Sequence, residues 1–172
     1  MTNHLLKIAS ILAACGGLLI VEPAAATPAL SVDPAEILAA HNKYRAEVGV
    51  PPLRWSNRLA RGAQLWAEEI AAFDQMRHSG TSGVGENLAM WYGTRPTVTQ
   101  LVSLWGNERS AYRRGTFPDV STTGQWRSVA HYTQMVWRTT THVGCGTANN
   151  GGTVFLVCWY SPQGNFIGQV AY

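Results

Sequence analysis

The stretch CGTANNGGTVFLVC, residues 145–158, has the pattern of a β-hairpin closed by a disulfide. A two-residue turn at Gly151-Gly152 pairs position 150 with 153 and continues outward in the same register. That register sets Cys145 opposite Cys158, within the distance that a disulfide spans. We therefore predict a structural disulfide between them rather than a metal or nucleophile role for either sulfur.

Along the whole chain, helices are expected mostly before strands, and the hairpin lies near the C-terminal end. Asp33-Pro34-Ala35-Glu36 predicts a helix start, with Asp33 as N-cap and Glu36 reaching back to it. Further helices are expected from Ser56 or Asn57 and from Pro96-Thr97, with a short helix around residues 129–138. Strands are expected over 86–93, 142–148 and 152–160, with a further candidate over 166–172. This order predicts an α+β fold with helices on the faces of an antiparallel sheet.

The third predicted helix contains an acid in an unexpected place. In LVSLWGNERSAY, residues 101–112, helical spacing puts Leu101, Trp105, Glu108 and Tyr112 on one face. Three of these side chains are large and mostly apolar, so the face should pack inward. A buried, unpaired carboxylate is costly. Glu108 should therefore lie at a water-filled cleft or beside a cation or metal.

Three other ionisable residues share this anomaly: His78 and Glu86 flank a glycine-rich loop, and His131 begins an apolar segment. Two neutral imidazoles suit Zn²⁺, with carboxylate or water completing a tetrahedron. The spacing does not establish such a site, because no H-E-x-x-H motif is present. Each histidine taken alone is more often structural, and His41, Asn42 and Arg45 are interpreted as structural too.

Several motifs in order carry a resemblance to a known family: HNKYR (41–45), PPLRWSNRLARGAQLWA (51–67), GENLA (85–89), WGNERSAY (105–112), HYTQMVW (131–137) and VCWYSPQGNFIG (157–168). Together they resemble the CAP superfamily, also called SCP-domain proteins. This superfamily comprises the cysteine-rich secretory, antigen-five and pathogenesis-related proteins. The resemblance runs from about Ile37 to Tyr172.

The resemblance implies a three-layer α-β-α sandwich with an open central cleft. It also implies that His78, Glu86, Glu108 and His131 form the cleft tetrad, whose histidines can hold Zn²⁺ or another divalent cation. Gln134, one turn after His131, is expected to orient the imidazole or to line the cleft. The chain departs from the family pattern at Ala130 and at Trp159. Trp159 stands where a small or polar residue is common, so it must lie on the sheet surface or reshape a neighbouring pocket.

The 172 residues suit one domain, at 27–172, preceded by a secretory signal peptide at 1–26. The apolar run of that signal is too short to span a bilayer, so no transmembrane segment is expected in the mature, secreted chain. An alternative is lipid anchoring through Cys15, in the lipoprotein-like stretch LAAC. The net charge of +3 comes without a basic run, which does not favour a nucleic-acid partner.

Three functions are compatible with these features. The leading hypothesis is a secreted binding protein, in defence or host interaction, whose grooves take a sterol or fatty acid. The alternative is a metal-dependent hydrolase or peptidase that uses Glu86 and Glu108 for acid–base chemistry. The third is a structural or cell-wall module in which the tetrad only holds the cleft together. The oligomeric state cannot be read from the sequence.

Overall fold

The computed structural model describes residues 30–172, so the predicted signal peptide and Cys15 lie outside the described residues. Within them, helices and strands follow in the order α1 (Pro34–Glu47), β1 (Arg54–Trp55), α2 (Asn57–Ala72), β2 (Gly85–Tyr92), α3 (Val98–Asn107), α4 (Ala130–Met135), β3 (His142–Asn150) and β4 (Thr153–Ser161). Two 3₁₀ turns, Glu108–Ala111 and Trp126–Val129, lead out of α3 and into α4.

The strands form one mixed sheet in the order β1-β3-β4-β2. Strand β4 is antiparallel to both β2 and β3, whereas the two-residue β1 joins the edge of β3 in parallel. The hairpin has the predicted register, with Asn150 opposite Thr153 and Cys145 opposite Cys158. The two cysteines form a disulfide across a Cα–Cα distance of 4.1 Å.

Helices cover both faces of this sheet and produce the expected three layers. Helix α2 packs on one face, where Ala63 and Ile70 meet Phe155 and Val157 in a buried apolar cluster. Gly146 of β3 permits this close approach, because a Cβ there would lie 2.3 Å from the α2 backbone. Helices α1, α3 and α4 share the larger apolar cluster on the other side. No helix within residues 30–172 has both the length and the apolar character needed to cross a bilayer.

The predicted helix starts are confirmed at Asp33, Ser56 and Thr97, each of which accepts a hydrogen bond from a first-turn N–H. Glu36 does not reach back to its own cap. Its carboxylate accepts from the backbone N–H and the hydroxyl of Thr99, at 3.0 and 2.9 Å. Packing of α1 on α3 brings these first-turn donors of α3, which have no partner within their own helix, next to Glu36.

One predicted helix ends earlier than expected, and one predicted strand is wrong. Helix α3 ends at Asn107, so Glu108 opens the following 3₁₀ turn and Tyr112 does not continue the helical face. Residues 166–172 do not form a strand; Val170 makes an isolated bridge with Thr116. The left-handed backbone of Asn165 and Gly168 (φ 59° and 83°) interrupts an extended path there.

Arg45 ties α1 to the segment that follows the cleft. Its guanidinium is fully buried and donates to four backbone carbonyl groups at 2.7–3.0 Å, those of Pro51, Met135, Trp137 and Thr140. Asn42 exchanges two hydrogen bonds with the backbone of Leu53. These contacts agree with the structural interpretation of both residues and hold the end of α4 against α1.

Candidate functional site

The first half of the site is a hydrogen bond between His78 and Glu86. Glu86 lies at the start of β2 with its side chain only 8% exposed, whereas the His78 side chain is 65% exposed. The imidazole Nδ1 lies 2.6 Å from Glu86 Oε1. An ionised carboxylate only accepts hydrogen bonds, so the proton of neutral His78 is on Nδ1 and Nε2 carries a lone pair.

Glu86 is held by two further donors. The backbone N–H of Ser79 donates to Oε1 at 2.9 Å, and the indole N–H of Trp159 donates to Oε2 at 2.8 Å. Burial alone would raise the pKa of Glu86, but the hydrogen bonds from His78, Ser79 and Trp159 outweigh it and the pKa is lowered. The same bond to Glu86 raises the pKa of His78 against the opposing effect of burial.

The second half of the site pairs Glu108 with His131 and answers why an acid follows the apolar face of α3. Glu108 Oε1 lies 2.6 Å from His131 Nδ1. Its Oε2 accepts from the backbone N–H groups of His131 and Tyr132, at 3.0 and 3.1 Å. The carboxylate therefore satisfies first-turn donors of α4 that have no partner within the helix. With its side chain 20% exposed, Glu108 is neither alone nor in hydrocarbon.

Other contacts fix His131 from several directions. The Trp105 indole from α3 stacks against its ring, with centroids 6.2 Å apart and planes 26° apart. The Asn87 amide donates to the His131 carbonyl at 3.1 Å and to the Tyr160 hydroxyl at 3.2 Å. Tyr160 in turn donates to Nε2 of the buried His41, whose Nδ1–H bonds the Ile37 carbonyl. A continuous network thus connects the cleft to the core.

Both histidines line one cavity of about 280 Å³, together with Glu86, Trp126, Gln134 and Asn165. Glu108 does not line it and reaches the cavity through His131. Within residues 30–172, neither Nε2 of the two histidines has a hydrogen-bond partner. A carboxylate on Nδ1 with Nε2 left for a ligand is the arrangement of many metal-binding histidines. In this part of the chain, however, no three His, Cys, Asp or Glu side chains group as a metal ligand set.

Gln134 lines the cavity but does not orient the His131 ring. Its side chain accepts from the Gly164 N–H at 2.8 Å and donates to the Thr140 hydroxyl at 3.2 Å. Gly85 lies so close that a Cβ there would be 2.0 Å from Gln134 Oε1. Gln134 therefore fixes the loop that closes one side of the cavity.

Three further residues, Trp105, Asn87 and Trp159, contact the site, and no sequence pattern predicts these contacts. The apolar face of α3 predicts a core position for Trp105, which its burial confirms, and its stacking on His131 adds a second role. Trp159 lies half-buried on the sheet against α2 and bonds Glu86, but it does not line the cleft cavity, so the expected reshaping of a pocket stays a prediction. Its partner could have been anticipated only from the pairing of β2 with β4, which sets Trp159 opposite Glu86.

Known proteins with the same pattern agree with this architecture. The family described as Cysteine-rich secretory protein family, or CAP, matches residues 38–160. Pathogenesis-related protein 1C of Nicotiana tabacum is 41% identical over 139 residues, which cover 80% of this chain and 79% of the relative. Pathogenesis-related leaf protein 6 of Solanum lycopersicum is 42% identical over 140 residues, covering 81% and 83%.

Solved structures share the fold at lower identity. The crystal structure of NaASP2 with Zn²⁺ has a TM-score of 0.67 at 23% identity, covering 80% of this chain and 83% of that one. Venom allergen-like protein 4 of Schistosoma mansoni has a TM-score of 0.60 at 26% identity, covering 81% and 95%. By its sequence, its α-β-α sandwich and these relatives, the chain belongs to the CAP family of cysteine-rich secretory and pathogenesis-related proteins.

Proposed function

We propose that the chain is a binding protein whose cleft holds a divalent cation on His78 and His131. The observation that carries this proposal is the matched pair of Glu–His hydrogen bonds beside one cavity. Each carboxylate fixes Nδ1 as the donor, so each neutral imidazole presents Nε2 as a ligand atom.

Zinc is the cation to try first. Imidazole nitrogen is a preferred zinc ligand, and two histidines with water are a workable though incomplete donor set. NaASP2, which shares the fold, has been crystallised with Zn²⁺. A bound cation would supply a positive charge in the cleft for an anionic or carbonyl-bearing ligand, while Glu86 and Glu108 hold the two rings in place.

The test is a zinc titration of the purified protein by calorimetry and native mass spectrometry. We expect one equivalent to bind, and affinity to fall at least tenfold in His78→Ala and in His131→Ala. His142→Ala, a partly exposed histidine on β3, is the matched control and should bind zinc as the wild type does. If both cleft variants lowered the melting temperature without changing zinc binding, the tetrad would be only structural.

A sterol or fatty acid is the second ligand class that we propose. A shallow groove of about 420 Å³ beside the disulfide is lined by Val32, Pro34, Trp55 and Ala60 with three polar residues, and it shares no lining residue with the cleft. We expect stoichiometric binding of a fluorescent sterol or fatty-acid probe without product, and we expect it to survive His78→Ala. Loss of probe binding in both cleft-histidine variants would instead place lipid and cation in one site.

The hydrolase alternative is less well supported, because both carboxylates are already engaged. Glu108 accepts three hydrogen bonds, and Glu86 accepts three as well. Of its roughly four lone-pair sites, each carboxylate therefore keeps about one for a proton, and Glu108 does not line the cavity in which a substrate or water would lie. Metal-dependent peptide cleavage that disappears in Glu108→Gln would favour this alternative, and absence of cleavage across a broad substrate panel would count against it.

We further propose secretion after removal of residues 1–26 and a role in defence, as the names of the pathogenesis-related relatives suggest. Native mass spectrometry of protein from a secreting host tests the first part, together with bound metal and co-purified lipid. A mature chain that begins at Thr27 is the expected result. A lipid adduct on Cys15 would contradict secretion and support lipid anchoring instead.

A further inference from the structure

Trp159 lies on β4 directly opposite Glu86 on β2. Its indole N–H donates to Glu86 Oε2 at 2.8 Å, while the other carboxylate oxygen holds His78. We propose that Trp159 is a positioning residue of the cleft, which orients Glu86 and through it fixes the tautomer and direction of the His78 ring. The consequence for cation affinity rests on the proposed function; the consequence for the tautomer does not.

The hydrogen bonds of Glu86 explain why this donor matters. Oε1 accepts from His78 and from the Ser79 backbone, Oε2 accepts from Trp159, and the Ser79 side chain also favours the charged form of Glu86. The Glu86 side chain is 8% exposed, and an oxygen with so little access to water is poorly satisfied without a protein donor. Removing the indole N–H therefore frees the carboxylate to rotate away from His78.

Two glycines leave the space that this arrangement of the indole and α2 requires. Gly62 in the middle of α2 faces the ring, since a Cβ there would lie 2.1 Å from Trp159 Cζ3. Gly144, the β3 neighbour of Trp159, lets α2 approach so closely that its own Cβ would be 2.3 Å from the Ala60 nitrogen. Glycine is unfavourable inside a helix, so Gly62 is best explained by the space that Trp159 needs.

A purely structural role for Trp159 would have a different signature. If the ring served only to pack α2 on the sheet, a substitution that keeps an aromatic ring there would leave His78 unchanged. If the N–H orients Glu86, the same substitution would change His78 while the fold stays intact. Trp159→Phe tests the two roles, because phenylalanine keeps an aromatic ring on the sheet and deletes the donor, although the outer indole atoms Cζ3 and Cη2 that face Gly62 are lost with it.

The experiment measures the His78 tautomer by long-range ¹H–¹⁵N NMR on metal-free protein, at a pH above the His78 titration followed in the same spectra, where the imidazole is neutral. Trp55→Phe is the matched control for the cleft, because it also deletes one indole N–H bond, to Asn57 Oδ1 at 2.9 Å, and Trp55 lines only the separate groove beside the disulfide, which neither the tautomer nor the zinc titration reports. We expect the Nδ1–H tautomer in the wild type and in Trp55→Phe, and a mixture with Nε2–H in Trp159→Phe. An unchanged tautomer in Trp159→Phe would overturn the proposal.

Gly62→Ala provides a second, independent variant, in which no cleft residue is substituted. The new Cβ displaces the Trp159 ring, so we expect the same tautomer mixture, and this variant decides the question if Trp159→Phe does not fold. A zinc titration then reports the consequence: affinity should fall about tenfold in both variants and not in Trp55→Phe. If the tautomer shifts but the protein binds no zinc, the positioning role of Trp159 is supported and the cation site is contradicted.

Discussion

Glu108 and His131 are joined twice: one carboxylate oxygen meets the imidazole Nδ1 at 2.6 Å, and the other accepts the backbone N–H of the same histidine at 3.0 Å. The first contact orients a candidate ligand atom. The second satisfies a donor at the start of α4. One side chain therefore contributes both to the cleft and to the stability of the helix beneath it.

Glu108→Gln should lower the free energy of unfolding by about 1–3 kcal/mol. The amide of glutamine has one acceptor oxygen, so at least one of the three N–H groups that Glu108 accepts would face an NH₂ group instead. Urea denaturation measures the loss. Glu36→Gln is the matched control, because Glu36 also accepts donors at a helix start but lies nearer to solvent; its cost should stay below about 1 kcal/mol. Equal losses in the two variants would contradict the assignment.

Arg45→Met should be among the most destabilising single changes in the chain, at about 3–5 kcal/mol. The substitution fills much of the same volume but removes the donor to three buried carbonyl groups and to the part-buried carbonyl of Pro51; of the four, Trp137 keeps the Thr140 N–H as a donor. Arg45→Lys should recover only part of the loss, because an ammonium group cannot reproduce the fork of the guanidinium. Arg54→Met, an exposed position on β1, should change stability by less than about 0.5 kcal/mol in the same chemical denaturation.

The stability of the protein should fall on acidification because His41 is buried. Burial is the main cause that lowers the pKa of His41 from 6.5 to about 4. Between these pH values the unfolded chain binds a proton that the folded chain does not, so the free energy of unfolding decreases as pH falls, by about 2 kcal/mol at pH 5.

The measurement is the unfolding free energy at pH 7 and at pH 5. His41→Asn should flatten the pH dependence, although it costs stability at both values, whereas His142→Asn should leave the dependence unchanged. His78 acts in the opposite direction, because its raised pKa favours the folded state at low pH. An equally steep loss in His41→Asn would assign the effect to other groups.

Zinc affinity should weaken as pH is lowered, and the loss should begin above pH 6.5. Glu86 raises the pKa of His78, and a protonated imidazole cannot bind a cation. Calorimetric zinc titrations between pH 8 and pH 5.5 follow this competition. In Glu86→Gln the carboxylate that stabilises the proton is absent, so the remaining binding should persist to lower pH. A pH-independent titration would contradict ligation by two histidines.

The parts of the fold that depend on local chemistry were predictable. The Gly151-Gly152 turn determines the hairpin register and therefore the disulfide, and capping residues located the helix starts. Glu36 was predicted to bond its own helix and instead bonds α3, because the competing donors belong to an element 63 residues away. The strand candidate over 166–172 is wrong because Gly168 within it and Asn165 just before it adopt left-handed backbone.

The candidate site was predictable only in its composition. Polar residues in apolar surroundings singled out Glu108 and His131, and the family resemblance supplied the whole tetrad. No local sequence pattern predicts that Glu86 faces Trp159, because the contact depends on the pairing of β2 with β4, in which the two residues are 73 positions apart. The Glu108–His131 pair, with Glu108 behind its histidine, also depends on long-range packing, that of α3 and its following turn against α4.

The double attachment between Glu108 and His131 has an evolutionary consequence. A lineage under selection merely to remain folded and resistant to proteolysis would keep this acid, since replacing it unsettles a helix. Retention of Glu108 in a relative is therefore weak support for the proposed cation site, and the exposed His78, whose ring makes one hydrogen bond, to Glu86, is the more informative position to compare.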